Sequence, residues 1–139
     1  RFLGFGGCKS MSPKPFHYSE RDVNRQILRR MPQICLYGGF DVLVTHTPAA
    51  GLGDGEDAFH QGFSTYRTLL TQFSPLYHFH GHQHLNYGNQ KAILQFGATT
   101  IMNCYGYRLI DIEVPVVNRR RLSYIKTRYD WGKNYAATL

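Results

Sequence analysis

The chain reads as a single α+β domain, on three observations. Two amphipathic helical stretches alternate with short apolar runs over the first 80 residues, while the remainder alternates with the period of strands. Glycine and proline punctuate nearly every junction, and no internal repeat or low-complexity tract interrupts the order. The 139 residues, 42% hydrophobic and 14% aromatic, suffice for a real core and argue against disorder.

In order, Arg1 to Phe5 is a short strand, and the Gly-, Ser- and Pro-rich stretch through Pro15 is loop. Ser19 and Asp22 have capping-box spacing, and Val23, Ile27, Leu28 and Met31 recur at helical intervals, which predicts a helix over residues 20 to 31. Pro32 should end or perturb it. Asp41 to Thr45 is a continuous apolar run after Gly38 and Gly39, suited to a strand buried on both faces. A loop from Pro48 to about Asp57 follows. A second helix is expected over residues 58 to 72, with Phe59, Phe63, Tyr66, Leu69 and Leu70 inward. Further strands are expected at 76 to 80, 92 to 96, 99 to 104, 107 to 114 and 122 to 129.

No apolar stretch approaches the ~20 residues that span a bilayer, and no signal peptide is visible. The three cysteines, Cys8, Cys35 and Cys104, form no CxxC pair and read as free thiols of a cytoplasmic protein. The absence of a first Met suggests a segment of a longer polypeptide. The net charge of +7 permits polyanion binding, but it is dispersed, with one group at Arg21, Arg25, Arg29 and Arg30 and another at Arg119 to Arg121.

The chemistry concentrates in histidine. His46 ends the apolar run 41 to 45, and Gly81-His82-Gln83-His84 ends the strand 76 to 80. Neutral imidazole is the commonest protein ligand for transition metals, and side chains at i and i+2 share one side of an extended segment. A glycine before them allows a sharp turn. His46, His82 and His84 therefore read as metal ligands. His78 and His80 share their parity but would crowd such a site, so they are assigned to packing or to supporting the ligands. His17 reads as structural. Asp54, Asp57 and His60 on the glycine loop, with Asn86 after the His pair, are candidates for substrate contact. No residue is singled out as the catalytic group.

Asp41-Val42-Leu43-Val44-Thr45-His46-Thr47-Pro48 followed by Gly81-His82-Gln83-His84 resembles the last two metal motifs of the calcineurin-like metallophosphoesterases. Gly4 to Cys8, Gly51 to Asp57 and Thr99 to Asn103 extend the likeness, which runs from Arg1 to about Val114. The resemblance implies the C-terminal half of a four-layer α/β/β/α sandwich, with residues 1–139 as one part of a single domain. It implies a hydrolase acting on a phosphate mono- or diester, with two divalent ions (manganese, iron or zinc) about 3.5–4 Å apart sharing the attacking hydroxide. His46 and His82 would then ligate one ion and His84 the other.

Ahead of His46 the sequence holds none of the family's earlier motifs, Asp-x-His, Gly-Asp-x-x-Asp and Gly-Asn-His-Glu/Asp. Three neutral imidazoles bring no charge to offset repulsion between two cations. The resemblance thus implies a partner, either an N-terminal half of the same domain or another chain, supplying carboxylates. Alone, the chain should expose an apolar sheet face and associate or dissolve poorly. Two other readings stand beside the phosphoesterase. One is a catalytically inactive or regulatory module of the same fold. The other is a basic nucleic-acid-binding domain, whose affinity would fall steeply with salt; nucleic acid or a nucleotide is also an admissible substrate.

Overall fold

A computed structural model describes residues 1–9, 14–84 and 92–112. Its centre is a five-stranded mixed sheet in the order β1-β4-β5-β7-β6, and the protein is α+β. Strands β1 (Phe2–Phe5), β4 (Val42–Thr45), β5 (Tyr77–His80) and β7 (Thr99–Asn103) are parallel, and β6 (Ile93–Phe96) is antiparallel to β7. Helix α1 (Glu20–Leu36) connects β1 to β4, and α2 (Ser64–Phe73) connects β4 to β5. Both crossovers advance the same way across the sheet, so right-handed connection puts both helices on one face. A small parallel pair, β2 (Cys8–Lys9) and β3 (His17–Tyr18), lies in the segment read as loop. No helix among the described residues is long and apolar enough to cross a membrane.

The core lies between the helices and that face. Val23, Ile27 and Ile34 of α1 and Tyr66, Leu69, Leu70 and Phe73 of α2 pack with Leu43 and Ile101 of the sheet. The opposite face is apolar but open. Val44, Phe79, Met102 and Ile93 share one cross-strand row, and Val44 is 40% exposed at the sheet centre. The run 41 to 45 is therefore buried on both faces except at Val44, since Val42 on the same side is 1% exposed.

Helix α1 begins as its capping box requires. Asp22 N–H donates to Ser19 Oγ at 3.3 Å, and Ser19 N–H donates to Asp22 Oδ2 at 3.0 Å. It does not end at Pro32, as expected, but continues to Leu36. Proline removes one backbone bond, yet Ile34 beyond it is buried in the core, and that packing holds the last turn in place. Gly38 and Gly39, both at positive φ, then stop the helix, with the Gly39 N–H returning to the Ile34 carbonyl at 2.8 Å.

Helix α2 starts at Ser64, six residues later than expected, because two aspartates take the backbone donors ahead of it. Asp57 Oδ1 accepts from the N–H groups of Phe59 and His60, and Asp54 Oδ2 accepts from Gly62 N–H. Phe59, expected inside, is 76% exposed. The cap comes from elsewhere in the chain. Phe63 at the N-cap offers no side-chain bond, and the Glu20 carboxylate of α1 accepts from Ser64 N–H (2.8 Å), Thr65 N–H (3.2 Å) and Thr65 Oγ1 (2.7 Å). Lys9 Nζ lies 3.1 Å from the same carboxylate.

Residues 107 to 112 are not strand. Tyr107 and Leu109 stand in solvent, so the alternation there has no pleated surface to match. Residues 113 and 114 of that expected strand, and the strand expected at 122 to 129, lie outside the described residues.

Candidate functional site

Parallel strands send their following loops to one edge of the sheet, and that edge collects the histidines. His46 leaves the C-terminal end of β4, and Gly81 to His84 leave β5 beside it. Gly81 N–H donates to the His46 carbonyl at 3.0 Å, which fastens the two loops together.

The sharp turn forms at His82 rather than at Gly81. Gln83 N–H bonds to the Gly81 carbonyl at 2.7 Å, and His82 sits at φ 67°. Such three-residue turns at positive φ are rare and strained. A β-carbon on Gly81 would meet nothing closer than the His46 carbonyl at 3.8 Å, so this glycine is not sterically required. Because the chain bends here, His82 and His84 no longer share a side. His84 packs against Tyr105, ring centroids 4.5 Å apart, and does not join His46 and His82 in a metal-holding group.

His46 and His82 do meet. His82 Nδ1 is 3.2 Å from His46 Nε2, with the rings edge to face. His82 Nε2 is 2.8 Å from the Phe59 carbonyl. A carbonyl can only accept, so Nε2 carries the proton and Nδ1 presents its lone pair toward His46. An imidazole oriented through its other nitrogen is the usual preparation of a metal ligand. Burial, and then the neighbouring His82, hold the His46 pKa below its ordinary value, which favours the neutral, ligating form.

The glycine loop closes one side. Asp57 Oδ2 lies 2.6 Å from His60 Nδ1, and the His60 ring is 5.6 Å from that of His82. Asp54 accepts from Gly51 and Gly62 N–H, both at 2.9 Å, so both of its oxygens brace the loop. Asp57 and His60 are exposed beside the His pair, whereas the Asp54 carboxylate is engaged within the loop. Asn86 lies outside the described residues.

His78 and His80 are buried on the helix-covered face. The Thr45 hydroxyl gives its hydrogen to the Thr47 carbonyl at 2.6 Å, so His78 Nε2 must donate to it at 2.8 Å. His78 Nδ1 is then a buried acceptor without a hydrogen-bond partner. Burial, helped by His80, pushes the His78 pKa down to about 3. His80 donates from Nδ1 to the Gly81 carbonyl at 3.1 Å. Its pKa is also lowered, chiefly by burial, against the opposing effects of that bond and of Asp54. Both histidines belong to packing beneath the site, and His17 is partly buried at β3.

Two organising residues escaped the sequence reading. Gln83 is buried and donates from Nε2 to the His60 carbonyl at 2.6 Å, and Asn103 Nδ2 donates to the Gln83 carbonyl at 2.8 Å. Together they tie the His turn to the glycine loop and to the end of β7. An asparagine closing a β-branched strand was the available signal.

For a divalent ion these residues are a partial fit. His46 and His82 bring two imidazole nitrogens together, but among the described residues no group of three or more His, Cys, Asp or Glu side chains is arranged to hold a metal. Among the described residues no carboxylate completes the pair into such a group.

No family model matches the chain, and no curated protein matches it. Among solved structures, one chain from a crystal structure is similar at 22% identity and a TM-score of 0.49, covering 74% of this chain. This chain spans 39% of that one's length.

Proposed function

We propose that the chain is part of a metal-dependent phosphoesterase of the calcineurin-like kind, with the four-layer sandwich as its complete fold. The observation that carries this reading is the meeting of His46 and His82 at the C-terminal edge of a parallel sheet, with His82 oriented through the Phe59 carbonyl. In this proposal His46 and His82 hold one of two divalent ions and His84 contributes to the other once His84 swings from Tyr105. Bound divalent ions supply Lewis-acid polarisation of a phosphoryl oxygen and a more acidic water. The substrate is a phosphate mono- or diester, nucleotides included, and His60, held by Asp57, stands where such an ester would approach. The missing carboxylates come from a further part of the domain or from another chain.

A second reading, a module that keeps the fold without turnover, is favoured by the absence of a closed donor set among the described residues. One experiment separates them. The full polypeptide from its natural source is assayed for bound manganese, iron and zinc and for hydrolysis of p-nitrophenyl phosphate and its bis-ester. The phosphoesterase reading expects metal-dependent turnover that His82→Ala lowers by about 100-fold or more, as befits the loss of a ligand. Absence of turnover, with or without bound metal, would overturn the phosphoesterase reading and select the inactive module.

A further inference from the structure

Asn103 closes β7 opposite His80 of β5 and is 3% exposed. Its backbone is fixed on both sides. The Asn103 N–H donates to the Ala92 carbonyl at 2.8 Å, Cys104 N–H to the His80 carbonyl at 2.7 Å, and Arg108 Nε to the Asn103 carbonyl at 3.0 Å. The side chain then reaches in two directions. Nδ2 donates to the Gln83 carbonyl at 2.8 Å, and Oδ1 accepts from Tyr105 N–H at 2.9 Å. One partner can only accept and the other can only donate, so the position calls for an amide. An ionised aspartate could serve Tyr105 but not Gln83.

The two arms end at different histidines. Gln83 stands between His82 and His84 in the chain, and its side chain is held separately by the His60 carbonyl. Pinned at both ends, Gln83 keeps the turn from Gly81 closed and His82 at φ 67°, with His82 Nδ1 3.2 Å from His46 Nε2. The Tyr105 arm serves the other ring, because His84 packs on Tyr105. A bond from an asparagine oxygen to the N–H two residues on is a common local turn. The bond to Gln83, 20 residues away, has no such local reason. In an extended form the His-x-His segment would present both rings on one side.

We propose that Asn103 is a positioning residue that divides His82 and His84 between the two ions. Through Gln83 it holds His82 facing His46, and through Tyr105 it keeps His84 apart. The inference rests on the phosphoesterase reading above and deepens it, by naming what sets the two ligands in place. Asn103 itself binds neither ion nor substrate, since all its polar groups are engaged within the fold.

The test is titration of the full polypeptide, freed of metal by chelation, with cobalt(II), whose visible absorption reports its ligand geometry. Asn103→Leu removes both bonds at similar volume, and Asn103→Ser leaves room for a water at the freed groups. Thr99→Val is the control, because it removes a buried bond at the other end of the same strand, from Thr99 Oγ1 to the Pro75 carbonyl at 2.6 Å. Wild type should bind cobalt, and the Asn103 variants should bind it about 10- to 100-fold more weakly, with an altered absorption band. Thr99→Val should keep the wild-type affinity and band even where its Tm falls as far. Asn103 variants that bind as tightly as wild type, or a Thr99→Val variant that loses as much, would overturn the positioning role and leave the phosphoesterase reading standing. So would unfolding of both Asn103 variants by circular dichroism while Thr99→Val stays folded, since Asn103 would then be structural. A wild type that takes up no cobalt would remove that reading and this inference with it.

Discussion

Glu20 joins the two helices, and its removal tests how α2 is held. Its carboxylate substitutes for the side-chain cap that Phe63 cannot provide, accepting three hydrogen bonds from Ser64 and Thr65. Loss of an N-terminal cap costs about 1–2 kcal/mol. Removal of an anion from a helix N-terminus costs roughly 0.3–1 kcal/mol more. The Lys9 pair, with both side chains about one-third exposed, adds little. Glu20→Ala should therefore destabilise the chain by about 1.3–3 kcal/mol, which for a protein of this length lowers Tm by roughly 4–10 °C. Glu20→Gln keeps an acceptor oxygen and should lose about half as much. Burial works to raise the Glu20 pKa, but the bonds from Ser64, Thr65 and Lys9 outweigh it and hold the pKa below the ordinary value. The folded-state pKa is thus depressed, so this stabilisation is present above the unfolded pKa and is lost as pH falls through the folded one. Thermal melts of wild type, Glu20→Ala, Thr65→Val and the double variant at pH 7 would measure it. A coupling near 1 kcal/mol between the two sites is expected for groups in direct contact. Strict additivity, or a Glu20→Ala melt within about 2 °C of wild type, would refute the cap.

Three other substitutions probe separate parts of the fold. A β-carbon on Gly62 would lie 2.6 Å from Pro48 O and Ala49 C, both backbone, so Gly62→Ala should cost about 2–3 kcal/mol in urea unfolding. The Tyr66 hydroxyl is buried without a hydrogen-bond partner, so Tyr66→Phe should leave stability unchanged or raise it by about 1 kcal/mol, and a clear loss would reveal a missed bond. Burial opposes ionisation of Asp41, but the Arg1 guanidinium beside it holds its pKa well below the usual carboxylate range. Asp41→Asn should then destabilise the protein at pH 7, and the gap from wild type should close as the pH falls from about 4 toward 2.

The parts legible in the sequence were those whose signal is local. The Ser19–Asp22 box, the helical period of Val23 and Ile27, and the strand starts near Val42, Tyr77, Ile93 and Thr99 all rest on neighbours within one or two turns. The failures came where a distant or competing bond prevailed. Asp54 and Asp57 took the donors that a helix at residue 58 would need. Ile34 carried α1 past Pro32 through core contacts that no window on the sequence includes. The cap of α2 comes from 44 residues away. At the site, the placement of His46 and His82 at adjacent strand ends followed from period and punctuation. The separation of His84 did not, because it depends on one backbone angle at His82.

That angle bears on what the site is for. A non-glycine residue in the left-handed region costs on the order of 1–3 kcal/mol unless its surroundings enforce it. Here they do: the Gln83 side chain is held by the His60 carbonyl, the Gln83 carbonyl by Asn103, and the His82 ring by the Phe59 carbonyl. The two Gln83 bonds do not need an imidazole at position 82, since a glycine would make the same turn without strain. The surrounding network thus imposes an unfavourable backbone on a side chain whose Nδ1 lone pair faces a second histidine. The bond from His82 to the Phe59 carbonyl is one use of an imidazole here, and in the proposed metal site a ligand taking both facing nitrogens would be a second.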